Sequence, residues 1–346
     1  MTLPATMNAL LLKGDGYAAQ PSGTALEAMA PYVEAGAIEV PQPEGRQVLV
    51  KVKLASVNPS DVMFVKGMYG QPRAQGRPAG FEGVGEVVAA GPDAAAQALV
   101  GKRIAFATGL TNWGSWAEYA VAEAPACIPI LDTVRDEDAA ALIVNPLTAL
   151  AMFGIVREEG EKAFVLTAGA SQLCKLMIGV AKDEGFRPIA IVRRDEQIPL
   201  LEGLGAAHVL NADAPDFAAK LAAVLREEKP RIFLDAVTGA LAGAIFSAMG
   251  RRARWIVYGR LDPATTPVPE PGQLIFQGKK IEGFWLTDWM RSVGPERRAQ
   301  AVMEAQKRFS DGRWATDVTA VVPLAEAVAR VPGELAKPNG KVFISP

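Results

Sequence analysis

Strand and helix patterns alternate through the middle of the chain, from about residue 136 to residue 290. Short apolar segments there have the character of buried strands, and amphipathic stretches separate them. The predicted strands lie at 162–169, 188–194, 207–212, 231–237, 253–259 and 280–286. Because such alternation is typical of βαβ units, it predicts an α/β fold with a doubly wound sheet of six parallel strands.

The first 135 of the 346 residues have a different texture, rich in short strands and turns. Strands are predicted at 48–57, 83–91, 103–108 and 115–123. This pattern indicates a compact β-barrel or β-sandwich. The tail returns to strand and short helix, so we expect it to complete the β domain. The predicted domains are therefore 1–135 with 291–346, and 136–290.

Rare residues and charge exclude several classes of protein. The chain contains one histidine, His208, and two cysteines, Cys127 and Cys174, which lie far apart in sequence. A zinc site needs three or four closely spaced ligands, so we expect no metal. The net charge of −2 favours neither nucleic acid nor an anionic membrane. With no long apolar segment and no signal peptide, the expectation is a cytoplasmic protein without a membrane partner.

The turn after the first strand of the central domain is the candidate phosphate-binding turn. A dinucleotide fold places glycines there so that backbone amides at a helix N-terminus can approach a pyrophosphate. Gly169 has this position, but Ser171 and Cys174 occupy the later glycine positions. Ser171 can cap the following helix with its hydroxyl. The alternative is an ordinary strand–turn–helix unit with a serine cap.

The end of the second central strand indicates which dinucleotide is bound. Where an NAD enzyme has an acidic residue for the ribose hydroxyls, this chain has Arg193 and Arg194. Guanidinium groups bind a 2′-phosphate through charge-assisted hydrogen bonds, so NADPH is the predicted cofactor. The alternative is a solvated pair at the sheet edge.

The single histidine, the two cysteines and one cluster of arginines are each interpreted as structural and not as functional. His208 begins a predicted strand without a carboxylate or cysteine close in sequence, and we assign it no role. Both cysteines are expected to pack as small apolar side chains. A basic cluster at 291–298 could hold an anionic substrate tail, but a solvated helix face is favoured. The cluster consists of Arg291, Arg297 and Arg298.

Five motifs along the chain match a known family in order and spacing. They are Asn58-Pro59-Ser60-Asp61, Gly67-Met68-Tyr69-Gly70, Gly80-Phe81-Glu82-Gly83-Val84-Gly85, Gly114-Ser115-Trp116-Ala117-Glu118-Tyr119 and Asn145-Pro146-Leu147-Thr148-Ala149. The chain resembles the medium-chain dehydrogenase/reductase superfamily, in its zinc-free quinone oxidoreductase and 2-enoyl thioester reductase branches. The resemblance implies a GroES-like β-barrel domain beside a Rossmann domain. Phe81 stands where zinc-dependent members have a histidine.

The resemblance also implies roles for individual residues. Tyr69 corresponds to the catalytic tyrosine of enoyl thioester reductases, as proton donor or oxyanion-binding hydroxyl, and Thr148 would lie near the nicotinamide. The segment 283–289 would line the nicotinamide pocket, and relatives pair the strand at 280–286 into a homodimer. The residues predicted to bind the cofactor are Asn58, Gly169, Ser171, Gln172, Leu173, Arg193, Arg194, Tyr258, Gly259, Trp285 and Leu286. The alternative for Tyr69 is a loop aromatic that only packs.

These observations predict a metal-free, NADPH-dependent oxidoreductase that acts on a small molecule. The preferred reaction is hydride reduction of the C=C bond of an α,β-unsaturated carbonyl, either an enoyl thioester or an enone. The chemistry needs a hydride at the β-carbon, a stabilised enolate oxygen and a proton at the α-carbon. A quinone reductase is one alternative, and an NADPH-binding protein without turnover is another.

Overall fold

Two compact units make up the chain in the computed structural model, which describes residues 3–19, 23–109, 111–337 and 340–346. Unit 1 comprises Met1–Val144 and Val302–Pro346, and unit 2 comprises Asn145–Ala301. The boundaries that the sequence suggested, 135 and 290, both fall slightly before these divisions.

The described residues form fifteen strands and twelve α-helices. The strands are β1 Thr6–Leu12, β2 Val33–Glu39, β3 Gln47–Val57, β4 Glu82–Ala90, β5 Arg103–Ala107, β6 Tyr119–Glu123, β7 Cys127–Pro129, β8 Ala163–Leu166, β9 Arg187–Val192, β10 His208–Asn211, β11 Ile232–Asp235, β12 Arg254–Val257, β13 Lys280–Gly283, β14 Val318–Pro323 and β15 Lys341–Ser345. The helices are α1 Pro59–Val65, α2 Ala94–Gln97, α3 Asp136–Ala140, α4 Val144–Glu159, α5 Gln172–Asp183, α6 Ile198–Leu204, α7 Phe217–Glu228, α8 Gly239–Ala248, α9 Pro271–Gln277, α10 Leu286–Ser292, α11 Pro295–Ser310 and α12 Ala327–Leu335. None of these helices is long and apolar enough to cross a membrane.

Unit 2 is built on a six-stranded sheet in which every described strand pair is parallel. Its order is β10-β9-β8-β11-β12-β13, so the chain direction across the sheet reverses between β8 and β11. Ligands of such sheets bind beyond the carboxyl ends of the strands at this reversal. The central strands are apolar because both sheet faces are covered, as Val165 and Phe233 illustrate with no exposed surface. The predicted six-stranded α/β architecture is confirmed.

Unit 1 contains a seven-stranded sheet in which β3 is the longest strand. The order is β14-β15-β3-β4-β5-β7, with β6 also pairing with β3, and β1 and β2 form a separate antiparallel ladder. The last strand, β15, pairs with β3 and β14. The C-terminal tail thus adds two strands to the sheet of unit 1.

His208 has a carboxylate partner that the sequence analysis did not foresee. Its Nε2 lies 2.7 Å from Oε1 of Glu228, the last residue of α7. The guanidinium of Arg187 binds the same carboxylate from β9, with Nε 2.8 Å from Oε2. Partners separated by 20 and 41 residues cannot be recognised by spacing alone. This triad joins β9, β10 and α7.

The pKa of the Glu228 carboxyl is lowered from 4.5 to about 2, chiefly by the hydrogen bonds from Arg187. A lowered folded-state pKa contributes stability above the unfolded value, and the contribution disappears as the pH falls through the folded value.

We predict that Glu228→Gln lowers the free energy of unfolding at pH 7 by about 1–2 kcal/mol, since the ion triad loses its charge. The difference from the unmodified protein should shrink as the pH falls from 5 towards 2. Calorimetric melting temperatures at several pH values measure it. Glu227→Gln, an exposed neighbour on α7, is the matched control. An equal loss from both variants, or a loss independent of pH, would contradict the prediction.

Candidate functional site

The turn between β8 and α5 follows the strand at which the sheet order reverses. Ser171 is the N-cap of α5, and its hydroxyl accepts a hydrogen bond of 3.3 Å from the backbone N–H of Cys174. Gln172 and Leu173 form the first turn of the helix, with Gln172 half-buried and Leu173 buried. An N-terminus in this place presents backbone N–H groups and a positive dipole end, which suits a pyrophosphate.

Gly169 is required by strand packing as well as by any ligand. A Cβ there would lie 2.9 Å from the Cβ of Ala190 and 3.2 Å from the carbonyl oxygen of Ile191. The Gly169 N–H donates to that same carbonyl at 2.9 Å. From the sequence, this glycine was expected only to allow the approach of a phosphate; in the structure it also brings the turn against β9.

Asp235, at the carboxyl end of β11, is a residue that the sequence analysis missed. Its buried carboxylate accepts hydrogen bonds from the hydroxyl of Thr167 after β8, and from Nε1 of Trp255 on β12 at 2.9 Å. The backbone N–H groups of Val237 and Thr238 add bonds of 2.9 and 3.1 Å. The sequence did contain a signal for this contact: a polar residue lies near the end of each of two predicted apolar strands, Thr167 in 162–169 and Asp235 in 231–237. Asp235 thus links three adjacent central strands, β8, β11 and β12.

Tyr258 and Gly259 follow β12 at the same edge. The Tyr258 hydroxyl lies 3.5 Å from the thiol of Cys174, and burial raises the pKa of both groups. A Cβ at Gly259 would be 2.9 Å from the carbonyl oxygen of Ala236, so glycine lets the turns after β11 and β12 lie side by side. Cys174 was expected only to pack, and it also contacts this tyrosine.

Arg193 and Arg194 directly follow β9 and are exposed. Within the described part of the chain, neither guanidinium forms a hydrogen bond or ion pair. Asp195, the next residue, is bound by the side-chain amide of Asn211 at 2.9 Å. Both arginines are therefore accessible to an anion beside the strand ends.

The other predicted residues of unit 2 lie on helices α4 and α10. Thr148 is buried in the second turn of α4. Trp285 is the N-cap of α10 and Leu286 its first residue, and both are half-buried. The backbone N–H of Phe284 donates to the carbonyl of Val257 at 2.9 Å, which attaches this segment to the end of β12.

In unit 1, Tyr69 lies in the loop after α1 and packs against the aromatic core. Its ring centroid is 4.9 Å from that of Phe81, and Phe81 is in turn 4.9 Å from Phe64 of α1. Both phenylalanines are buried. The tyrosine ring thus packs against Phe81, which is backed in turn by Phe64.

Asn58 belongs to a buried polar cluster. Its amide Nδ2 donates to Ser56 Oγ and to Glu82 Oε1, both at 2.9 Å, and its Oδ1 accepts a hydrogen bond from the ammonium of Lys341. Both amide donors are therefore used within unit 1. This geometry assigns Asn58 a role in holding α1, and the cofactor contact predicted for it remains only a prediction.

Glu82 is the centre of that cluster. Its carboxylate accepts hydrogen bonds from the side chains of Ser56, at 2.8 Å, and Asn58. It also accepts hydrogen bonds from the backbone N–H groups of Ile143 and Val144, at 3.1 and 2.8 Å. In the sequence, Glu82 stands out only as part of the motif at 80–85.

Two further ionisable groups in the cluster have shifted pKa values. Burial raises the pKa of Asp61 to about 7, although the backbone N–H of Asn58 donates to its Oδ2 at 2.7 Å. Burial lowers the pKa of Lys341, whose side chain reaches the cluster from β15.

The basic cluster of α10 and α11 is engaged with protein atoms. Arg297 donates to Glu158 at 2.9 Å, Arg298 donates to the carbonyl of Met290 at 3.0 Å, and Arg291 lies 3.9 Å from Asp288. These contacts agree with the interpretation of the basic cluster as a solvated helix face. Among the described residues, no group of three or more histidine, cysteine or acidic side chains could hold a metal ion.

Two family models match the chain, one in each half. Residues 44–132 match the alcohol dehydrogenase GroES-like domain, and residues 173–305 match the zinc-binding dehydrogenase domain. A candidate NADPH:quinone reductase from Mesorhizobium loti has a crystal structure that is 72% identical, covers 100% of both chains and superposes with a TM-score of 0.97.

More distant proteins share the sequence pattern or the fold. The human mitochondrial enoyl-[acyl-carrier-protein] reductase is 27% identical over 86% of this chain and 80% of its own. The Etr1p/Etr2p 2-enoyl thioester reductase heterodimer from Candida tropicalis is 19% identical, covers 99% of this chain and 100% of its own, and has a TM-score of 0.79, a likeness of fold. The chain therefore belongs to the medium-chain dehydrogenase/reductase superfamily, in the branch of quinone oxidoreductases and enoyl reductases.

Proposed function

We propose that the protein is an NADPH-dependent reductase of the C=C bond of an α,β-unsaturated carbonyl, either an enoyl thioester or an enone. The observation that carries this proposal is Tyr69, a tyrosine in a glycine-flanked loop whose ring packs against Phe81, itself backed by Phe64. The sequence similarity to enoyl-[acyl-carrier-protein] reductases supports the same reaction.

The residues at the carboxyl edge of the unit 2 sheet suit NADPH. The N-terminus of α5, capped by Ser171, would bind the pyrophosphate. Arg193 and Arg194 would bind the 2′-phosphate, since both are exposed and without an acidic partner among the described residues. Gly259 lets the turns after β11 and β12 lie side by side at this edge. Thr148, Trp285 and Leu286 are assigned to the nicotinamide side.

NADPH, when bound, supplies the hydride for the β-carbon. The task of the chain is then to stabilise the enolate oxygen and to deliver a proton to the α-carbon. A tyrosine hydroxyl can do either, by donating a hydrogen bond to the carbonyl oxygen or by giving up its proton. The braced ring restricts where the hydroxyl can lie, which favours catalysis because a fixed donor needs no reorganisation.

Quinone reduction is the second candidate. It is favoured by the 72% identity to the candidate quinone reductase from Mesorhizobium loti. A quinone accepts a hydride and a proton on its oxygen atoms, so the same cofactor residues would serve it. The two reactions are distinguished by which substrate is turned over and by the product formed.

We also propose that the protein is a homodimer joined through β13. This strand is an edge of the unit 2 sheet, hydrogen-bonded only to β12 in the described structure. Large apolar side chains are exposed on and near it: Ile281 at 43%, Ile275 at 69% and Phe276 at 73%. An unpaired edge with exposed apolar groups is suited to pairing with a second copy of the chain.

The first prediction concerns Tyr69. We expect Tyr69→Phe to lower kcat for a short 2-enoyl-CoA by roughly tenfold or more, because the reaction loses its hydroxyl donor. The dissociation constant for NADPH should be unchanged. NADPH consumption with crotonyl-CoA and, in parallel, with a simple quinone measures turnover, and mass spectrometry identifies the saturated product.

Tyr32→Phe, the same change elsewhere in unit 1, is the control. Unchanged turnover with every active substrate would remove the catalytic role, and activity with the quinone alone would favour the second candidate.

The second prediction concerns the cofactor phosphate. Replacing both Arg193 and Arg194 with alanine should weaken NADPH binding by about 1–3 kcal/mol, the scale of charged hydrogen bonds. NADH binding should hardly change. Isothermal titration with each cofactor measures both, with Arg226→Ala, another exposed arginine of unit 2, as the control. Equal losses for the two cofactors would show that these arginines do not bind the phosphate.

The third prediction concerns assembly. Ile281→Asp should convert the dimer to a monomer, because a carboxylate would be buried at the paired edge. Light scattering coupled to gel filtration gives the mass. Leu200→Asp is the matched control, since Leu200 is also 43% exposed but lies on α6. If Ile281→Asp has the same mass as the unmodified protein, either the interface lies elsewhere or the unmodified protein is already a monomer.

A further inference from the structure

The helix that precedes Tyr69 ends in a fixed geometry. Gly67 has a φ of +75°, and its N–H donates to the carbonyl of Phe64 at 2.8 Å. The N–H of Met68 donates to the carbonyl of Met63, also at 2.8 Å. These two bonds form a Schellman motif, which requires a left-handed residue and so favours glycine. Tyr69 is the next residue along the chain.

Arg73 binds the end of this helix from the far side of the loop. Its Nη1 donates to the carbonyl of Val65, the last residue of α1, at 3.1 Å. Its Nε and Nη2 donate to the carbonyls of Gly16 and Asp15 at 3.1 and 3.2 Å. One guanidinium therefore joins α1 to the N-terminal segment 14–18, which we call the strap.

The backbone is shaped around this guanidinium. A Cβ at Gly14 would lie 2.6 Å from Arg73 Nη1, and a Cβ at Gly67 would lie 2.7 Å from Arg73 Cζ. Glycine at both positions thus gives the guanidinium its space. The backbones of Gly16 and Arg73 also exchange hydrogen bonds of 3.0 and 3.2 Å, and the Ala18 N–H donates to the Gly67 carbonyl at 2.9 Å.

Charge neutralisation does not explain the arrangement. The acceptors of Arg73 are backbone carbonyls, and within the described part of the chain it has no carboxylate partner at ion-pair distance. Three carbonyls in different directions match the rigid fork of a guanidinium, whereas a lysine ammonium is a point donor that reaches fewer of them. The contact of Arg73 with these carbonyls therefore fixes the backbone geometry of the loop and does not balance a charge.

We propose that Arg73 is the positioning residue for Tyr69, holding the tyrosine loop between the end of α1 and the strap so that the hydroxyl meets the substrate carbonyl. This inference rests on the proposed function, because it assigns Arg73 to the same catalytic step. Phe81 braces the ring, and Arg73 holds the backbone on both sides of it.

The test is a double-mutant cycle in the full-length protein with crotonyl-CoA, or with the quinone if only that substrate is active. Arg73→Ala should lower kcat by roughly tenfold, since a small misplacement of a catalytic group is costly. In a Tyr69→Phe background the same change should alter kcat by less than about twofold, because residues that act through one group are not additive. The NADPH dissociation constant should not change, and millimolar guanidinium ion should partly restore the kcat of Arg73→Ala.

Two more variants complete the test. Arg103→Ala is the control, because Arg103 also donates to two backbone carbonyls of unit 1, those of Leu131 and Val134. Unlike Arg73, it also binds a carboxylate, that of Asp136. It should lower the melting temperature and leave kcat unchanged. If Arg73→Ala does not fold, Arg73→Lys enters the same cycle. Hydrogen exchange at the Ala18, Gly67 and Met68 amides should accelerate in either Arg73 variant.

The outcomes separate this inference from the proposed function. If Tyr69→Phe lowers kcat but the Arg73 change has no effect, or an equal effect with and without the Tyr69 hydroxyl, the positioning role is wrong and the proposed function stands. If Tyr69→Phe has no effect on kcat, the catalytic role of Tyr69 fails and the positioning role is overturned with it.

Discussion

The carboxylate of Glu82 is the group on which the arrangement of unit 1 depends. It accepts four hydrogen bonds, from Ser56 on β3, from Asn58 at the start of α1, and from the backbone of Ile143 and Val144 just as α4 begins. A buried carboxylate without such donors would cost several kcal/mol. Because the donors come from segments far apart in sequence, satisfying the charge forces those segments to meet.

Unit 2 also contains a buried carboxylate that accepts several hydrogen bonds, at the centre of its sheet. Asp235 accepts hydrogen bonds from Thr167, Val237, Thr238 and Trp255, which follow or lie on three adjacent strands. The strand ends are thereby aligned at the edge where the sheet order reverses. Ser171 and Tyr258 come from turns at this edge, and the backbone N–H of Tyr258 donates to the carbonyl of Asp235 at 2.9 Å.

The aromatic side chains around Tyr69 form one packed group in unit 1. Phe81 stands where zinc-dependent members of the superfamily have a histidine, and here it packs between Phe64 and Tyr69. An apolar ring at this position supports a neighbouring hydroxyl by contact. The loop that carries the hydroxyl needs its own restraint, which the guanidinium of Arg73 supplies through backbone carbonyls.

Local patterns were enough to predict the elements, since each strand of unit 2 and the helix α5 can be recognised from apolar periodicity and turn residues. The same patterns located Gly169, Ser171, Arg193 and Arg194 at strand ends, because parallel strands bring their carboxyl ends to one edge. The bonding partners of His208 and Asn58, by contrast, did not follow from the sequence.

The sequence by itself determined the fold class, the order of its elements and the kind of chemistry, because periodicity, composition and short motifs depend on neighbours in the chain. Tertiary structure decided which polar groups meet: Glu82 with Val144, His208 with Glu228, and Arg73 with the carbonyls of Asp15 and Val65. These contacts join residues that are distant in the chain. One sequence carries no local signal for such pairs, since packing of the whole unit sets which donors a buried carboxylate or a guanidinium can reach.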